Sequence, residues 1–440
     1  LGPEEKRRGT SLLYRDLGPT AALGSSPARD AAVACVQARS TGFMELVDAK
    51  IREPTGAHDG TGLMMQHKEV LQAVKMSQSI LDGLRHPIVQ APMAGGVSTP
   101  ALAAAVSRAG GLGFLAAGYK TVDEVERDLA AVRSLLPAGV PYGLNLFAPP
   151  GHGAGVAEIN SYADRLREEA QERGVALGNP RWDDDWYSEK LDLLGEHPVP
   201  VVSLTFGCPT QSQVDRLRAS GSAVWVTVTT VEEARAAQRV GADGLVVQGV
   251  EAGGHRGGFD DTHPGDIGLL ALLQLVLAAA VNHDLPLIAA GGLTTGRSVA
   301  AVLAAGAAAA QLGTAFMLCP EAGTVPAHRD AIGRADALTA LTRAFTGRTA
   351  RGIINRFLQD HSDAPSAYPE VHHLTAPLRT TARTRGDIDG FHLWAGQTYS
   401  LAEPLPAADL VVRLGTEARE ALEAAKRTVS GQGFPITGPA

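Results

Sequence analysis

The chain has 440 residues, a formal net charge of −8, 45% hydrophobic and 20% charged residues. This is the ordinary range for a globular protein with enough apolar material for a core, and the acidic balance leaves no electrostatic footprint for nucleic acid. The three cysteines, Cys35, Cys208 and Cys319, are far apart and in no ligand spacing, so neither a disulfide framework nor a metal site is expected. The longest apolar run, Leu269–Val281, is too short to cross a membrane and contains Gln274. With no secretory signal pattern either, the cytoplasm is the expected compartment. Residues 1–75, with LGPEEKRRGT, SSPARD and EPTGAHDGTG, read as a poorly structured extension, and MSQSILDGLRHPIV from Met76 reads as a natural beginning.

From residue 85 strands and helices alternate. Pro87–Met93 is a strand; Thr99–Ala109 is an Ala-rich helix with Thr99 as N-cap and Pro100 in its first turn. Phe114–Ala117 is the second strand, Thr121–Leu136 a helix and Tyr142–Phe147 the third strand. A longer polar connection holds a helix around Ala157–Arg173. Pro200–Thr205, Ala223–Val228 and Gly244–Val247 are strands four to six, separated by helices at Gln211–Ala219 and Val231–Val240. A helix over Asp266–Asn282 leads to strand seven, Leu287–Ala290, and the Gly296–Ala305 helix leads to strand eight, Ala309–Thr314. The strands are apolar on both faces, as a parallel sheet buried on both sides requires. Eight β/α units point to a TIM (β/α)8 barrel over residues 80–318 rather than a doubly wound sheet, because the conspicuous residues stand at many strand ends and not at one switch point. Residues 319–430 read as a smaller α/β lid domain and a return segment, with Glu321–Thr346 helical and Thr416–Thr428 a closing helix; 431–440 is a tail.

The chemistry is expected at the C-terminal ends of the strands. Val247–Phe259 (VQGVEAGGHRGGF) leaves strand six with five glycines around His255, a density suited to close backbone approach to a ligand. The other strand ends carry Gln90, Ala91, Pro92 and Met93; Asn145; Thr205, Phe206 and Gly207; Gln248; Gly253 and Gly254; Ala290, Gly291 and Gly292; and Gln311, Leu312, Gly313 and Thr314. Carboxylates are scarce, which argues against metal-assisted hydrolysis and glycoside chemistry. AAGGL and QLGT, on adjacent strands seven and eight, offer unobstructed backbone N–H groups, the common phosphate site of such barrels. A phosphate beside an amide-lined, nearly uncharged cavity suggests FMN. No Gly-rich dinucleotide fingerprint follows a strand. Tyr368, His372, His373, Trp394 and Gln397 are further candidates, Tyr368 and His373 on the substrate side, Trp394 and Gln397 on the cofactor side. His152, His263 and His283 read as surface residues and Cys208 as a buried small residue.

QAPMAGG, YGLNLF, LTFGCP, VVQGVEAGGHRGG, IAAGGL, QLGTAF, YPEVHHLTAPLR and WAGQ together resemble the class I nitronate monooxygenases, over about residues 80 to 430. The resemblance implies a TIM barrel with a smaller domain, non-covalent FMN and no metal. It implies oxidation of alkyl nitronates, including propionate 3-nitronate, by O2 to a carbonyl compound and nitrite. It places Asn145, Gln248, Gly253, Gly291 and Gln311 to Thr314 on FMN, Met93 near its ring, and His255 over it as the active-site histidine. A nitronate is already an anion, so His255 would hold or position its charge; in relatives accepting neutral nitroalkanes such a histidine would take the α-proton. The bland alternative is a histidine that merely holds the loop. Partners are then a small nitronate and O2, with neither nucleic acid nor membrane, and the assembly a monomer or small homo-oligomer. The rivals are an FMN- and NAD(P)H-dependent enoyl-ACP reductase, similar in the barrel and the Gly-rich His loop, and a non-catalytic flavoprotein.

Overall fold

A computed structural model of the protein describes residues 76–149, 151, 155–279 and 284–431. The expectations for residues 1–75, His152, His283 and most of the tail lie outside these.

Eight parallel strands form one sheet in the order β1-β9-β8-β6-β5-β4-β3-β2. They are β1 (Ile88–Gln90), β2 (Gly113–Ala116), β3 (Tyr142–Phe147), β4 (Val201–Thr205), β5 (Ala223–Val228), β6 (Gly244–Gln248), β8 (Leu287–Ala290) and β9 (Ala309–Leu312). A parallel bridge between Val89 and Leu112 closes the ends into a barrel. Helices alternate with these strands: α1 (Pro100–Arg108), α2 (Val122–Leu135), α3 (Val156–Arg165), α4 (Arg167–Arg173), α5 (Tyr187–Glu196), α6 (Gln211–Ala219), α7 (Val231–Arg239), α8 (Leu269–Ala278) and α9 (Gly296–Ala304). Thr99, Thr121, Thr210, Thr230 and Thr295 each cap the following helix through the side chain, which sets where strand-end loops stop. The Asp266–Asn282 helix is shorter than expected, because Gly268 stands at the N-cap and the Glu251 carboxylate accepts from Leu269 N at 3.0 Å.

The Glu321–Thr346 segment is not one helix. It holds α10 (Pro326–Arg334), which Ala335 ends at φ 53°, and then β10 (Thr339–Thr342). β10 pairs antiparallel with β11 (Ala350–Ile353), and β11 pairs with β7 (Gly254–His255) inside the Gly-His loop. Helical periodicity lost here to a tertiary strand partner that sequence does not show. α11 (Arg356–Asp360), α12 (Glu370–Arg385) and α13 (Ala407–Val429) complete the chain.

The smaller domain is not confined to residues after 318. Ile159, Tyr162, Leu166 and Ala170 of α3 and α4 share a core with Phe345, Phe357, Val371, Leu374 and Leu378. The α3–α4 part of the β3–β4 connection thus belongs to the cap, while α5 packs on the barrel. Conversely, α13 returns to the barrel, burying Leu410, Val411 and Leu414 with Val299 and Leu102. Barrel and cap lie in one compact unit.

Candidate active site

A cavity of about 350 Å³ lies over the C-terminal ends of the barrel strands, beneath the cap. Ala91, Pro92, Met93, Asn145, Gln248, Gly253, Gly254 and His255 line it, as do Gly291, Gly292, Gln311, Gly313, Thr314 and Trp394. Six of the residues singled out in the sequence do not, Gly207 among them, which stands beyond Phe206 with its Cα beside Ala148. Gln90 is fully buried in the barrel seam, where its Oε1 accepts from Phe114 N at 3.0 Å and its Nε2 donates to Ser98 Oγ at 3.0 Å. Leu312 alternates away from Gln311 and packs into the core. Gln397 is exposed, while its neighbours Gly396 and Thr398 line the cavity. His373 turns outward to Asp183, Nε2 to Oδ2 at 2.6 Å. Tyr368 stands behind the wall, with its ring 5.7 Å from Phe206 and 6.1 Å from His255. Of the remaining expectations, Thr205, Phe206 and His372 line the cavity, His263 is 89% exposed, and Cys208 is partly buried with its thiol raised by burial to about 11.

One side of the cavity is a backbone cradle. Gly291 and Gly292 have φ of 123° and 64°, conformations that only glycine adopts without strain. The N–H groups of Gly291, Gly292, Gly313 and Thr314 donate to no protein group among the described residues. A Cβ on Gly253 would come within 2.5 Å of the Ala395 carbonyl carbon. Gly396 N donates to Thr314 Oγ1 at 3.0 Å and Thr398 Oγ1 to Gly292 O at 3.0 Å, so the WAGQT segment clamps both glycine turns. The floor is polar and uncharged. Asn145 Nδ2 donates to Ser203 Oγ and Thr205 Oγ1, both at 2.9 Å.

The other side is cationic, and sequence reading missed most of it. α12 presents His372, Arg379 and Arg383 along one face, spaced seven and four apart. His328 from α10 and His392 join them, and no Asp or Glu is among the lining residues. Arg379 donates to Thr375 Oγ1 at 2.9 Å and to His372 O at 2.7 Å; burial lowers it to about 10. Arg383 Nη2 lies 3.2 Å from His392 Nε2, yet Arg383 Nε, His392 Nδ1 and His328 Nε2 are buried without a partner. Such atoms are costly unless a ligand satisfies them. Burial and the neighbouring arginines hold His372 and His392 well below the usual imidazole range, and burial, against a stabilising bond to Trp394, brings His328 to about 4. The helical spacing of these residues was visible, but which face turned inward depended on cap packing.

His255 joins the two sides. β11 pairs with it and bridges to Trp394, whose ring lies 5.4 Å away, so one strand sets both side chains. Burial, then Arg348 and Arg379, push His255 down to about 3. Tyr119 at φ 66° stacks on His372, centroids 4.3 Å apart. Its backbone N–H donates to Asp185, whose other oxygen accepts from buried Lys190 at 2.7 Å. Among the described residues no His, Cys, Asp or Glu group is arranged to hold a metal ion.

The chain matches the family model for nitronate monooxygenase over residues 78–417. It is 43% identical to a nitronate monooxygenase from Pseudomonas aeruginosa, over 77% of this chain and 97% of that one. Its fold is similar to a solved nitroalkane oxidase from Streptomyces ansochromogenes, at 50% identity and a TM-score of 0.75, covering 79% and 99% of the two chains. FabK from Thermotoga maritima is similar at 26% identity and a TM-score of 0.62, covering 81% and 98%. A TIM barrel, a glycine cradle opposite a cationic wall and a match over most of the chain converge: the protein belongs to the nitronate monooxygenase family, a family of flavin-dependent oxidoreductases.

Proposed function

We propose that this enzyme binds FMN in the cavity and oxidises alkyl nitronates, propionate 3-nitronate among them, with O2 to a carbonyl compound and nitrite. The observation that carries the reading is the cavity's division. The free N–H groups of Gly291, Gly292, Gly313 and Thr314 fit a phosphate, and Arg379 and Arg383, facing no carboxylate, fit an anionic substrate. Asn145 and Gln248 would supply amides for the flavin's polar edge and Met93 would stand near its ring system; all three line the cavity. FMN, when bound, accepts electrons from the nitronate and returns them to O2. The protein's own residues do the rest. Arg379 draws the nitronate in, and neutral His255, held by Thr346, positions it without needing to take a proton. The buried ring of Phe206 and the Tyr119–His372 stack exclude water. The second free group, Arg383 with His392, fits the carboxylate of propionate 3-nitronate. Cys208 and Cys319 are free thiols, which suits a reducing cytoplasm.

The test is a visible spectrum of purified protein, followed by anaerobic addition of propionate 3-nitronate and, separately, NADH. Flavin bands that respond to the nitronate and not to NADH support the reading. Bleaching by NADH with no response to nitronate moves the chain to the reductase chemistry that the FabK likeness leaves open. Absence of flavin bands overturns both.

A further inference from the structure

Beside His255 stands Arg256, a residue that the proposed chemistry does not use. The residue is 1% exposed, and its guanidinium forms no ion pair among the described residues. It does not line the cavity. It points beneath the floor, where Nη1 donates to Gln248 Oε1 at 3.0 Å, Gln248 O at 3.2 Å and Gly249 O at 2.6 Å. Nε donates to Pro264 O at 3.2 Å. Gly257 N adds a second donor to Gln248 Oε1 at 2.8 Å.

Its hydrogen-bond partners are all neutral, Glu233 and Glu251 favour its charge only from longer range, and Nη2 has no partner. A buried cation held this way is expensive to keep, so its contacts identify what it is there to hold. An amide can turn over, exchanging its oxygen and nitrogen with little change in shape. Two donors converging on Oε1, one of them charged, forbid that exchange at Gln248. The amide nitrogen is therefore fixed as the free end. One of its hydrogens goes to His255 O at 3.2 Å. The other is left for the cavity that Gln248 lines.

We propose that Arg256 is a positioning residue for the flavin: it locks the Gln248 amide so that an N–H, never the carbonyl oxygen, meets the acceptor edge of the isoalloxazine. The inference rests on the FMN reading above. It also accounts for the arginine in the GGHRGG sequence, since a loop needing only flexibility would need no cation at its base.

The experiment measures the FMN dissociation constant of reconstituted holoenzyme by fluorescence quenching, together with the bound-flavin spectrum. Arg256→Met should weaken FMN about tenfold, the worth of one charge-assisted hydrogen bond. The same change made in a Gln248→Leu background should weaken it no further, because Arg256 acts through that amide. Arg256→Lys should restore most of the affinity, since an ammonium has three donors for the three oxygens that Nη1 serves. Gln248→Glu keeps both acceptor contacts, replaces the donor by an acceptor oxygen and adds a charge that Arg256 neutralises, so it should fold and lose affinity with a shifted spectrum. Equal weakening by Arg256→Met in both backgrounds overturns the proposal, and so does wild-type affinity in Gln248→Glu. The latter variant decides the matter if Arg256→Met does not fold. Wild-type protein that takes up no FMN overturns the cofactor reading itself, an outcome separate from these.

Discussion

His255 Nε2 lies 2.9 Å from Thr346 Oγ1, and the same hydroxyl is 3.3 Å from the Arg348 carbonyl. A threonine hydroxyl has one hydrogen to give. The carbonyl can only accept, so the hydroxyl hydrogen goes to Arg348 O, and the neutral imidazole donates through Nε2–H to Thr346 Oγ1. Thr346 thus fixes the tautomer and the orientation of the neutral ring, leaving Nδ1 as its acceptor nitrogen. Thr346→Val keeps the side-chain shape and removes this control. The expected outcome is a fall of about tenfold in kcat/KM for nitronate, with flavin content unchanged. Steady-state oxygen uptake alongside the flavin-to-protein absorbance ratio checks it.

The same environment sets which substrate form is favoured. An imidazole lowered to about 3 is a poor acceptor of a carbon-bound proton near neutral pH. Nitronates should therefore be oxidised at least about a hundredfold faster than the parent nitroalkanes. His255→Ala should retain FMN and lose a similar factor toward nitronates. Rates for ethyl nitronate and nitroethane, measured before the two forms interconvert, provide the comparison. Equal rates would mean that His255 acts as a competent base in the loaded enzyme.

Much of this arrangement was legible in the sequence. The eight strands alternate with helices, and the glycine turns after β8 and β9 stand where barrel chemistry places them. What escaped was everything decided by a distant partner. Leu312 and Gln311 differ only in strand parity, and the parity of a short apolar run is not visible until the sheet closes. His372 and His373 are adjacent, yet one enters the cavity and the other meets Asp183, because packing of α12 on the cap fixes the helix rotation. Arg379 and Arg383 read as ordinary helical charges until the lack of carboxylates around them is seen in three dimensions. The strand β11 was unreadable because its partners are β10, in a segment with a helical pattern, and β7, which is only two residues long.

Arg383 offers a direct test of substrate recognition. Its unpartnered Nε and the free Nδ1 of His392 lie in the same wall. Arg383→Leu should raise KM for propionate 3-nitronate about tenfold or more, the loss of a charge-assisted contact. It should leave KM for ethyl nitronate, which lacks the carboxylate, within about twofold. A parallel rise for both substrates would place Arg383 on the nitronate group.

The buried histidines also give the apoprotein a defined acid sensitivity. His255 and His328 are held neutral in the fold down to about 3 and about 4, while the unfolded chain takes up protons near the ordinary value of 6.5. The unfolded state thus binds more protons throughout that interval, and stability rises with pH wherever it does. Stability from these groups is fully present above about pH 6.5 and is lost as pH falls toward their folded values. His372 and His392 shift in the same direction and add to the slope. The melting temperature of apoprotein should fall steadily from pH 7 to pH 4.5. His328→Gln, which cannot charge, should flatten part of that slope and leave the plateau above pH 7 nearly unchanged. A melting temperature independent of pH over this range would show that these rings are protonated, or open to water, in the folded protein.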